Sequence, residues 1–472
     1  MSDQSINLPQ RLRWMRALLV LSAIKAVWLA CDAIPRLFLG DSASYLLAAT
    51  SDWLPPDRSF TYPLLLRLLV MPWQSPYALV VVQSLAGLVS AWLLWLVLRR
   101  RFGVPGSIAL IVAALYACDP AQVFYERMVM AEAFGGLALL ATFAATVEYV
   151  ATARLRWLVA LECLGLATVS LRLNLLPVVL VMSVVAPLLL WLRHAGVRRV
   201  AAHTAIALSL LAILHGGYRQ YIARQFNTAP AWSARSGLME LGLVAPLVKP
   251  EHLWAEGISP NVLSLLRHEL RDPDKRNAQM WAAFGLADVL GADHSEAGDA
   301  LAGRIAWRAL RDDPRGLLRL GISNLEGYFD PVISEGRMRM DRASEQRYGA
   351  DVQALALGVL NTAVVGTEKV DSPARQWFTS SALWLVCCWL VLVPSAAIAC
   401  RRLCRNGRSG AAVVLLLYAM GLASSQLLFS AIVSYRYLHP MPAFVLIAWA
   451  VIATPRMALQ RPPQDAASPQ DG

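Results

Sequence analysis

The stretch "YALVVVQSLAGLVSAWLLWLVLRRRFG" (Tyr77–Gly103) decides the fold class of this chain of 472 residues. Its apolar run over 77–98 leads directly into three arginines, the pattern of a membrane-spanning helix that ends in a cytoplasmic loop. The whole chain has the same character, because 57% of its residues are hydrophobic and only 16% are charged. A soluble protein of this length needs more polar surface, so the sequence predicts an all-α polytopic membrane protein.

Charge and cysteine content argue against several other classes of protein. The net charge is +11, but the arginines stand in short clusters between apolar runs, as in cytoplasmic loops, and not as in a nucleic-acid-binding surface. The seven cysteines show no spacing typical of a zinc site or a disulfide framework. The first apolar run lacks a small-residue cleavage site and further apolar runs follow it. We therefore interpret it as a first membrane helix and not as a cleaved signal peptide.

Ten membrane crossings are predicted, with both termini on the cytoplasmic side. The basic stretches at 99–103 and 151–157 are both expected inside, so an even number of crossings must separate them. The polar "DPAQVFYER" (119–127) between them is therefore predicted to be the outer turn of a hairpin. The run 157–192 is too long for one helix and is expected to break near "LRLN" (171–174). The predicted spans are 17–34, 77–98, 104–118, 131–150, 157–171, 174–192, 200–217, 379–398, 411–433 and 440–455.

This topology divides the chain into four regions. Residues 1–217 form an N-terminal transmembrane module with a first outer loop at 35–76. Residues 218–378 form an extracytoplasmic, mostly helical domain, which carries amphipathic stretches but no motif that we can interpret. Residues 379–455 supply the C-terminal transmembrane helices, and the tail 456–472 is expected to be disordered.

Asp41 is the first candidate for chemistry, because it lies in "FLGDSASYLLAAT" (38–50), just after the first span. The alternative role is an N-cap, in which its carboxylate would bind the free N–H groups of a short helix. Polar stretches on other predicted outer segments favour a site: "PDRSFTYPLLLRLL" (56–69), "DPAQVFYERMVMAEAF" (119–134) and "YRYLHPMP" (435–442).

Taken together and in order, these stretches resemble the GT-C superfamily of membrane glycosyltransferases. The resemblance is to the branch of protein O-mannosyltransferases and lipid A aminoarabinose and sugar transferases. Those enzymes place an acidic residue early in the first outer loop, matched by "GDSASY", and a Tyr-Pro element later in that loop, matched by "FTYPLLL". A P-x-x-x-Y turn followed by an acidic residue is matched by "PAQVFYERMVMAE", and an RYL-x-P element by Arg436–Pro440. The resemblance spans about 10 to 455 and implies a GT-C-like bundle of about ten transmembrane helices.

The function that this resemblance implies is transfer of a sugar from a polyprenyl-phosphate carrier to an acceptor at the outer membrane face. Asp41 would take the proton from the acceptor hydroxyl while that hydroxyl attacks the anomeric carbon with inversion. Glu132 would support it as a second carboxylate, or serve only as a helix-start carboxylate favoured by the dipole. A lipid phosphate is already a good leaving group and needs cations. Arg436 is the best phosphate ligand, although it could instead reach lipid headgroups.

Several further residues are weaker candidates with ordinary alternatives. Arg172 and Arg58 are secondary candidates for binding the donor phosphate. Arg172 would be costly if it met lipid, so it is expected to face a cavity or partner, whereas Arg58 could be a plain loop charge. The remaining side chains could be interfacial anchors or solvated charges: Tyr45, Tyr62, Glu126, Arg127, Tyr437 and His439. Lys25 and Glu162 lie inside apolar runs, where a charge costs about 2.5–3.5 kcal/mol, so they are expected to face protein or pair with each other.

Two functional classes remain open on the sequence. A polytopic transporter or lipid-linked-sugar flippase is the alternative, but no internal repeat is visible and the polar candidates gather at one face. No metal site is predicted, although some related enzymes use a divalent ion. The expected partners are a polyprenyl-phosphate sugar and a glycolipid, polysaccharide or protein acceptor. The expected location is a bacterial inner membrane. The sequence identifies neither the sugar nor the acceptor.

Overall fold

The structure is a computed structural model that describes residues 8–58, 60–342, 348–362 and 372–455. Within these ranges the chain is helical and has no β-strand, apart from an isolated bridge between Arg36 and Met128. The prediction of an all-α polytopic membrane protein is therefore confirmed. The tail 456–472 lies outside the described residues.

The helices follow one another through three parts of the chain. The first part contains α1 (Leu8–Cys31), α2 (Leu39–Thr50), α3 (Thr61–Leu65), α4 (Ala78–Arg100), α5 (Gly106–Ala117), α6 (Pro120–Tyr125), α7 (Glu132–Thr152), α8 (Leu155–Leu171), α9 (Leu176–Leu188) and α10 (Val197–Phe226). The middle part contains α11 (Ser236–Val244), α12 (Pro250–Trp254), α13 (Arg276–Trp281), α14 (Leu286–Val289), α15 (Glu296–Asp312), α16 (Pro314–Gly327), α17 (Pro331–Asp341), α18 (Ala350–Leu360) and α19 (Pro373–Thr379). The last part contains α20 (Ala382–Cys404), α21 (Ser409–Phe429) and α22 (Met441–Ala453).

Eight segments in the described ranges are long and apolar enough to cross a membrane. They are Leu12–Cys31, Ala78–Arg100, Glu132–Thr152, Leu173–Arg193, Val197–Phe226, Ala382–Cys404, Ser409–Phe429 and Tyr435–Ala453. The other two predicted spans form α5 and α8, which have 12 and 17 residues. The helix predicted at 200–217 is longer than expected, because α10 continues to Phe226.

The arginine-rich loops gather at one end of the bundle, as the charge argument predicted. An ion pair of 2.5 Å joins Arg101, after α4, to Glu148, near the end of α7. Arg408 donates to the Arg101 carbonyl, and Arg402 donates to the Thr454 carbonyl after α22. We call this end, which comprises residues 99–106, 148–157 and 401–408, the basic end. The start of α7 and the turn before α22 lie at the opposite end.

The segment 119–127 lies between α5 and α7, where the sequence predicted the turn of a hairpin, and it is packed inside protein. All nine of its residues are buried in protein. Irregular backbone between membrane helices is stable only inside protein, which supplies its hydrogen-bond partners.

A buried polar network holds this turn. Lys25 of α1 donates to the Glu126 carboxylate at 2.5 Å and to the Ala117 carbonyl at 3.0 Å. Gln122 also donates to Glu126, at 2.9 Å. Lys25 and Glu162 therefore do not pair with each other, but both face protein, as expected, and Glu162 accepts from Ser183.

Gly87 of α4 makes room for this network. A Cβ built there would lie 1.8 Å from Glu126 Oε1, which Lys25 and Gln122 hold in place. We expect Gly87→Ala to destabilise the protein by about 1–3 kcal/mol, the usual cost of overpacking, and to lower its thermal unfolding temperature in detergent. Gly216→Ala in α10 is the matched control, because its Cβ would meet nothing within 4 Å. Equal unfolding temperatures for the two variants would contradict this packing.

Three apolar cores organise the described ranges of the chain. The largest lies within the membrane bundle. A second joins α2 and the residues around Tyr62 to α18, and a third lies inside the middle part, around α11 and α15. The middle part docks through α16 on α21, so helices outside the bundle hold the loops at the end opposite the basic end.

Candidate active site

Five charged side chains from distant parts of the sequence form a continuous chain of ion pairs at the end opposite the basic end. Arg58 Nη1 contacts Asp41 Oδ1 at 2.5 Å, and Arg436 Nη1 contacts Asp41 Oδ2 at 2.6 Å. Arg436 Nε lies 2.7 Å from Glu132 Oε1, which lies 3.2 Å from Arg172 Nη1. We call Arg58, Asp41, Arg436, Glu132 and Arg172 the ion-pair chain. It contains every residue that the sequence proposed for catalysis or phosphate binding.

Asp41 is positioned by the start of α2. Ser42 Oγ donates to the Val129 carbonyl at 2.8 Å and accepts from the Phe38 N–H at 2.7 Å, which ties α2 to the buried segment before α7. Asp41 lies in the first turn of α2, but the N-cap position belongs to Phe38 and no side chain caps this helix. The N-cap alternative for Asp41 is therefore wrong, and its carboxylate is directed to the two arginines.

The loop that carries Arg58 is held by the C-terminal part of α10 and by Ser233. The Phe60 ring packs on Tyr218 and Tyr221, with ring centroids 5.8 and 5.1 Å away. Both tyrosines lie on the part of α10 that continues beyond the predicted span. Ser233 adds a hydrogen bond of 2.9 Å to the Pro56 carbonyl. Arg58 is thus a positioned residue and not a free loop charge.

The turn that carries Arg436 is held by Asp341, at the end of α17, and by Tyr328, the residue that follows α16. Asp341 accepts hydrogen bonds from Ser434 Oγ at 3.0 Å and from the Tyr435 N–H at 2.5 Å. The Tyr328 hydroxyl donates to the Ser434 carbonyl at 2.8 Å. Because these contacts fix the backbone on the N-terminal side of Arg436, its guanidinium can reach both carboxylates of the ion-pair chain.

Glu132 and Arg172 form the buried end of the ion-pair chain. Their side chains are 1% and 5% exposed, against about one-fifth for Asp41, Arg58 and Arg436. Gly135 permits this approach, because a Cβ there would lie 2.5 Å from Arg172 Cγ. Arg172 Nη2 and Glu132 Oε2 are buried without a hydrogen-bond partner among the described residues. The site therefore retains hydrogen-bonding capacity at its inner end and an open face at Asp41.

The electrostatics of the open face keep Asp41 ionised. Burial alone would raise the pKa of its carboxyl, but the Arg436 and Arg58 guanidiniums outweigh burial and hold that pKa below its ordinary value. Burial would likewise lower the pKa of Arg58, yet Asp41 and Asp57 raise it above its usual range. Asp41 is consequently a carboxylate at neutral pH, shielded by two cations.

The arrangement suits an anion better than a divalent cation. Each guanidinium carries five N–H donors, and the carboxylates here engage only some of them. A metal ion bound at Asp41 or Glu132 would have to displace the adjacent guanidinium or lie against it. Among the residues that the structure describes, no group of three His, Cys, Asp or Glu side chains could hold a metal ion.

Some candidates lie beside the ion-pair chain and others elsewhere. Tyr437 lies near Arg436, whose guanidinium carbon is 5.6 Å from its ring centroid. Tyr45 packs edge-on against Tyr62, and burial together with Asp41 and Glu132 raises its pKa well above the ordinary value. Tyr62 points inward, with its hydroxyl 3.3 Å from Gln83 Oε1.

Glu126, Arg127 and His439 do not join the ion-pair chain. Glu126 and Arg127 are fully buried, so the expectation of solvated interfacial charges is wrong. Arg127 donates to the carbonyls of Asp32 and Trp28, and thereby anchors the chain after α1. His439 Nε2 shares a hydrogen bond of 2.9 Å with Gln122 Oε1. These three side chains support the loops around the site.

Sequence reasoning missed two acidic residues that shape the site. Asp57 pairs with Arg58 at 2.5 Å, and its position next to that arginine in "PPDRSF" was a signal that could have revealed it. Asp341 lies in the middle part of the chain, where no sequence pattern links it to the turn it holds. Only the packing of α17 on that turn reveals its role.

The titration of Asp341 is expected to set an acidic limit to activity at this site. Burial raises the pKa of its carboxyl to about 6, so it loses its charge as the pH falls through 6 and then binds Ser434 and Tyr435 less strongly. We expect kcat/KM to fall below pH 6. Asp341→Asn, which is neutral at every pH, should have low activity at pH 7.5 and match the wild type at pH 5. A wild-type acidic limb that persists in Asp341→Asn would assign that titration to another group.

No protein-family model matches the sequence, and no curated protein matches it. The chain is similar to two solved structures of ArnT from Cupriavidus metallidurans. To the one bound to undecaprenyl phosphate it is 16% identical, with 92% of this chain and 77% of that chain covered and a TM-score of 0.35. To the apo state it is 15% identical, with the same coverage and a TM-score of 0.34.

Proposed function

We propose that this chain is an integral-membrane glycosyltransferase that moves a sugar from a polyprenyl-phosphate donor to an acceptor at the membrane surface. The observation that carries the proposal is the ion-pair chain, in which three guanidiniums and two carboxylates from five separate segments converge. The sequence motifs that resemble the GT-C superfamily contribute Asp41, Glu132 and Arg436 to this one cluster. The basic end carries three clusters of arginines, and arginine-rich loops usually face the cytoplasm. This supports an extracytoplasmic location for the ion-pair chain, which lies at the opposite end.

The donor phosphate would bind where the arginines now contact carboxylates. Guanidiniums bind phosphate oxygens with paired, charge-assisted hydrogen bonds, which are stronger than neutral ones. Arg58 and Arg436 lie at the open face and can turn toward a lipid phosphate. Arg172 offers its unpartnered Nη2 from the inner end. The cations then stabilise the negative charge that develops on the leaving phosphate, so no strong general acid is needed.

Donor binding would also release the base. Asp41 is a weak proton acceptor while Arg58 and Arg436 hold its pKa down. When the phosphate draws these guanidiniums away, its pKa rises and its oxygens become free to accept a proton. The acceptor hydroxyl then attacks the anomeric carbon, its proton passes to Asp41, and the bond from that carbon to the phosphate oxygen breaks. The products are the inverted glycoside and the free polyprenyl phosphate.

Sugar transfer in proteoliposomes tests this function. Purified protein is incubated with membrane acceptors and with a panel of polyprenyl-phosphate sugars, each radiolabelled in the sugar. We expect label to join the acceptor as polyprenyl phosphate is released in equal amount. Movement of intact donor between leaflets without bond formation would instead support a transporter or lipid-linked-sugar flippase.

A further inference from the structure

A separate cavity of about 330 Å³ lies at the basic end, between α1, α4 and α5. It is at the opposite end of the bundle from the ion-pair chain, so the proposed transfer does not use it. Its wall combines three arginines with an aromatic ring and apolar carbon, supplied mainly by Arg13, Arg16, Trp95, Arg99, Ser107 and Leu110.

The arginines of this cavity carry uncompensated positive charge. Within the described part of the chain, no carboxylate forms an ion pair with Arg13, Arg16 or Arg99. Arg99 instead meets the like charges of Arg13 and Arg100. The Arg99 guanidinium also lies over the Trp95 ring, 5.0 Å from its centroid. An anion in the cavity would relieve this repulsion.

Backbone groups add to the attraction for an anion. Helix α5 begins at Gly106 and Ser107, which both line the cavity, and no side chain caps its N-terminus. The first N–H groups of a helix lack intrahelical acceptors, and the helix dipole makes this end positive. The cavity therefore combines side-chain and backbone donors.

The position of the cavity points to a lipid as the source of the anion. Arg99 is next to the last residue of the span in α4, and Arg13 is next to the first residue of the span in α1. The cavity is thus level with the headgroups of the leaflet at the basic end. Large apolar side chains on α1 and α5 are exposed beside it, namely Leu18, Ile111 and Leu115 at 44%, 60% and 54%, and they offer a surface for acyl chains.

We propose that this cavity binds the headgroup of an anionic phospholipid, with the phosphate among Arg13, Arg16 and Arg99 and the acyl chains along α1 and α5. Basic pockets between membrane helices have this lipid preference. A scattered set of arginines would attract the whole leaflet equally, whereas this open recess directs three arginines and the start of α5 to one headgroup.

Native mass spectrometry of the full-length protein tests the proposal, with phosphatidylglycerol or phosphatidylcholine of identical acyl chains. We expect the wild type to retain phosphatidylglycerol in preference to phosphatidylcholine. The double variant Arg13→Gln, Arg16→Gln should bind phosphatidylglycerol on the order of 10-fold more weakly. The matched control is Arg154→Gln with Arg156→Gln, two exposed arginines at the same end, which should bind as the wild type does. Leu110→Trp keeps every charge but fills the cavity, and should also lose the lipid.

Three results would overturn the site. One is a loss of phosphatidylglycerol binding in the Arg154/Arg156 control equal to that in the Arg13/Arg16 variant, which would mean that the arginines attract the leaflet diffusely. Another is undiminished binding in both the Arg13/Arg16 and the Leu110 variants. The third is displacement of phosphatidylglycerol by inorganic phosphate at millimolar concentration, which would make free phosphate the ligand. Each variant must first match the wild type in thermal unfolding temperature, and Arg99→Gln replaces the Arg13/Arg16 variant if that one does not.

Discussion

Asp41→Asn is expected to abolish sugar transfer while the protein still folds and inserts normally. Asn retains the size and one acceptor oxygen of Asp, but it cannot take up the proton of the acceptor hydroxyl. Loss of a positioned general base costs on the order of 10²–10⁴-fold in rate, so we expect kcat to fall by that amount. The measurement is kcat for label transfer, with expression level and unfolding temperature as checks on the fold.

Asp57→Asn is the matched control for Asp41→Asn. Asp57 also pairs with Arg58 and is similarly shielded, but it does not contact Arg436. We expect it to lose less than about 10-fold, because it only orients one arginine. Equal losses in the two variants would show that Asp41 acts by orienting Arg58, and retained activity in Asp41→Asn would exclude it as the base.

Arg436→Lys is expected to be nearly as damaging although it preserves the charge. Arg436 uses two different nitrogens, since Nη1 contacts Asp41 at 2.6 Å and Nε lies 2.7 Å from Glu132. A lysine has a single terminal nitrogen and cannot bridge both carboxylates or bind a phosphate bidentately. We expect kcat/KM for the donor to fall on the order of 10²–10³-fold, as when one preorganised donor to a developing charge is removed.

Arg219→Lys provides the comparison for this charge-preserving change. Arg219 lies on α10 and, among the described residues, donates to the exposed Pro230 carbonyl alone, so Arg219→Lys should leave kcat/KM unchanged within about twofold. If Arg436→Lys behaves like Arg219→Lys, then Arg436 contributes only its charge and the proposed bidentate contact to phosphate is wrong.

The sequence could predict much of the fold because hydropathy and charge are local signals. Apolar runs ending in arginines located most helices, and the parity of basic loops placed the ends of α4 and α7 together, as the Arg101–Glu148 ion pair confirms. The same reasoning placed a turn at 119–127 but did not show that this turn is buried. A polar stretch between apolar runs looks like an exposed turn, whether water or buried partners such as Lys25 satisfy it.

The ion-pair chain could be anticipated only in part. Asp41, Glu132 and Arg436 stand in recognisable motifs, so their proximity followed from the resemblance. The resemblance could not show which cation each carboxylate pairs with. Glu126 and Glu132 are six positions apart, yet one pairs with Lys25 and the other with Arg436 and Arg172, because the chain bends between them into α7.

Binding of a polyprenyl phosphate to the purified protein tests the central claim most directly, since it requires neither the sugar nor the acceptor. The account predicts saturable binding that weakens on the order of 100-fold when Arg436 and Arg58 are both changed to Gln, with no comparable effect on the uncharged polyprenol. Undiminished binding in that double variant, or equal binding of polyprenol and polyprenyl phosphate to the wild type, would contradict the assignment of the ion-pair chain as the donor-phosphate site.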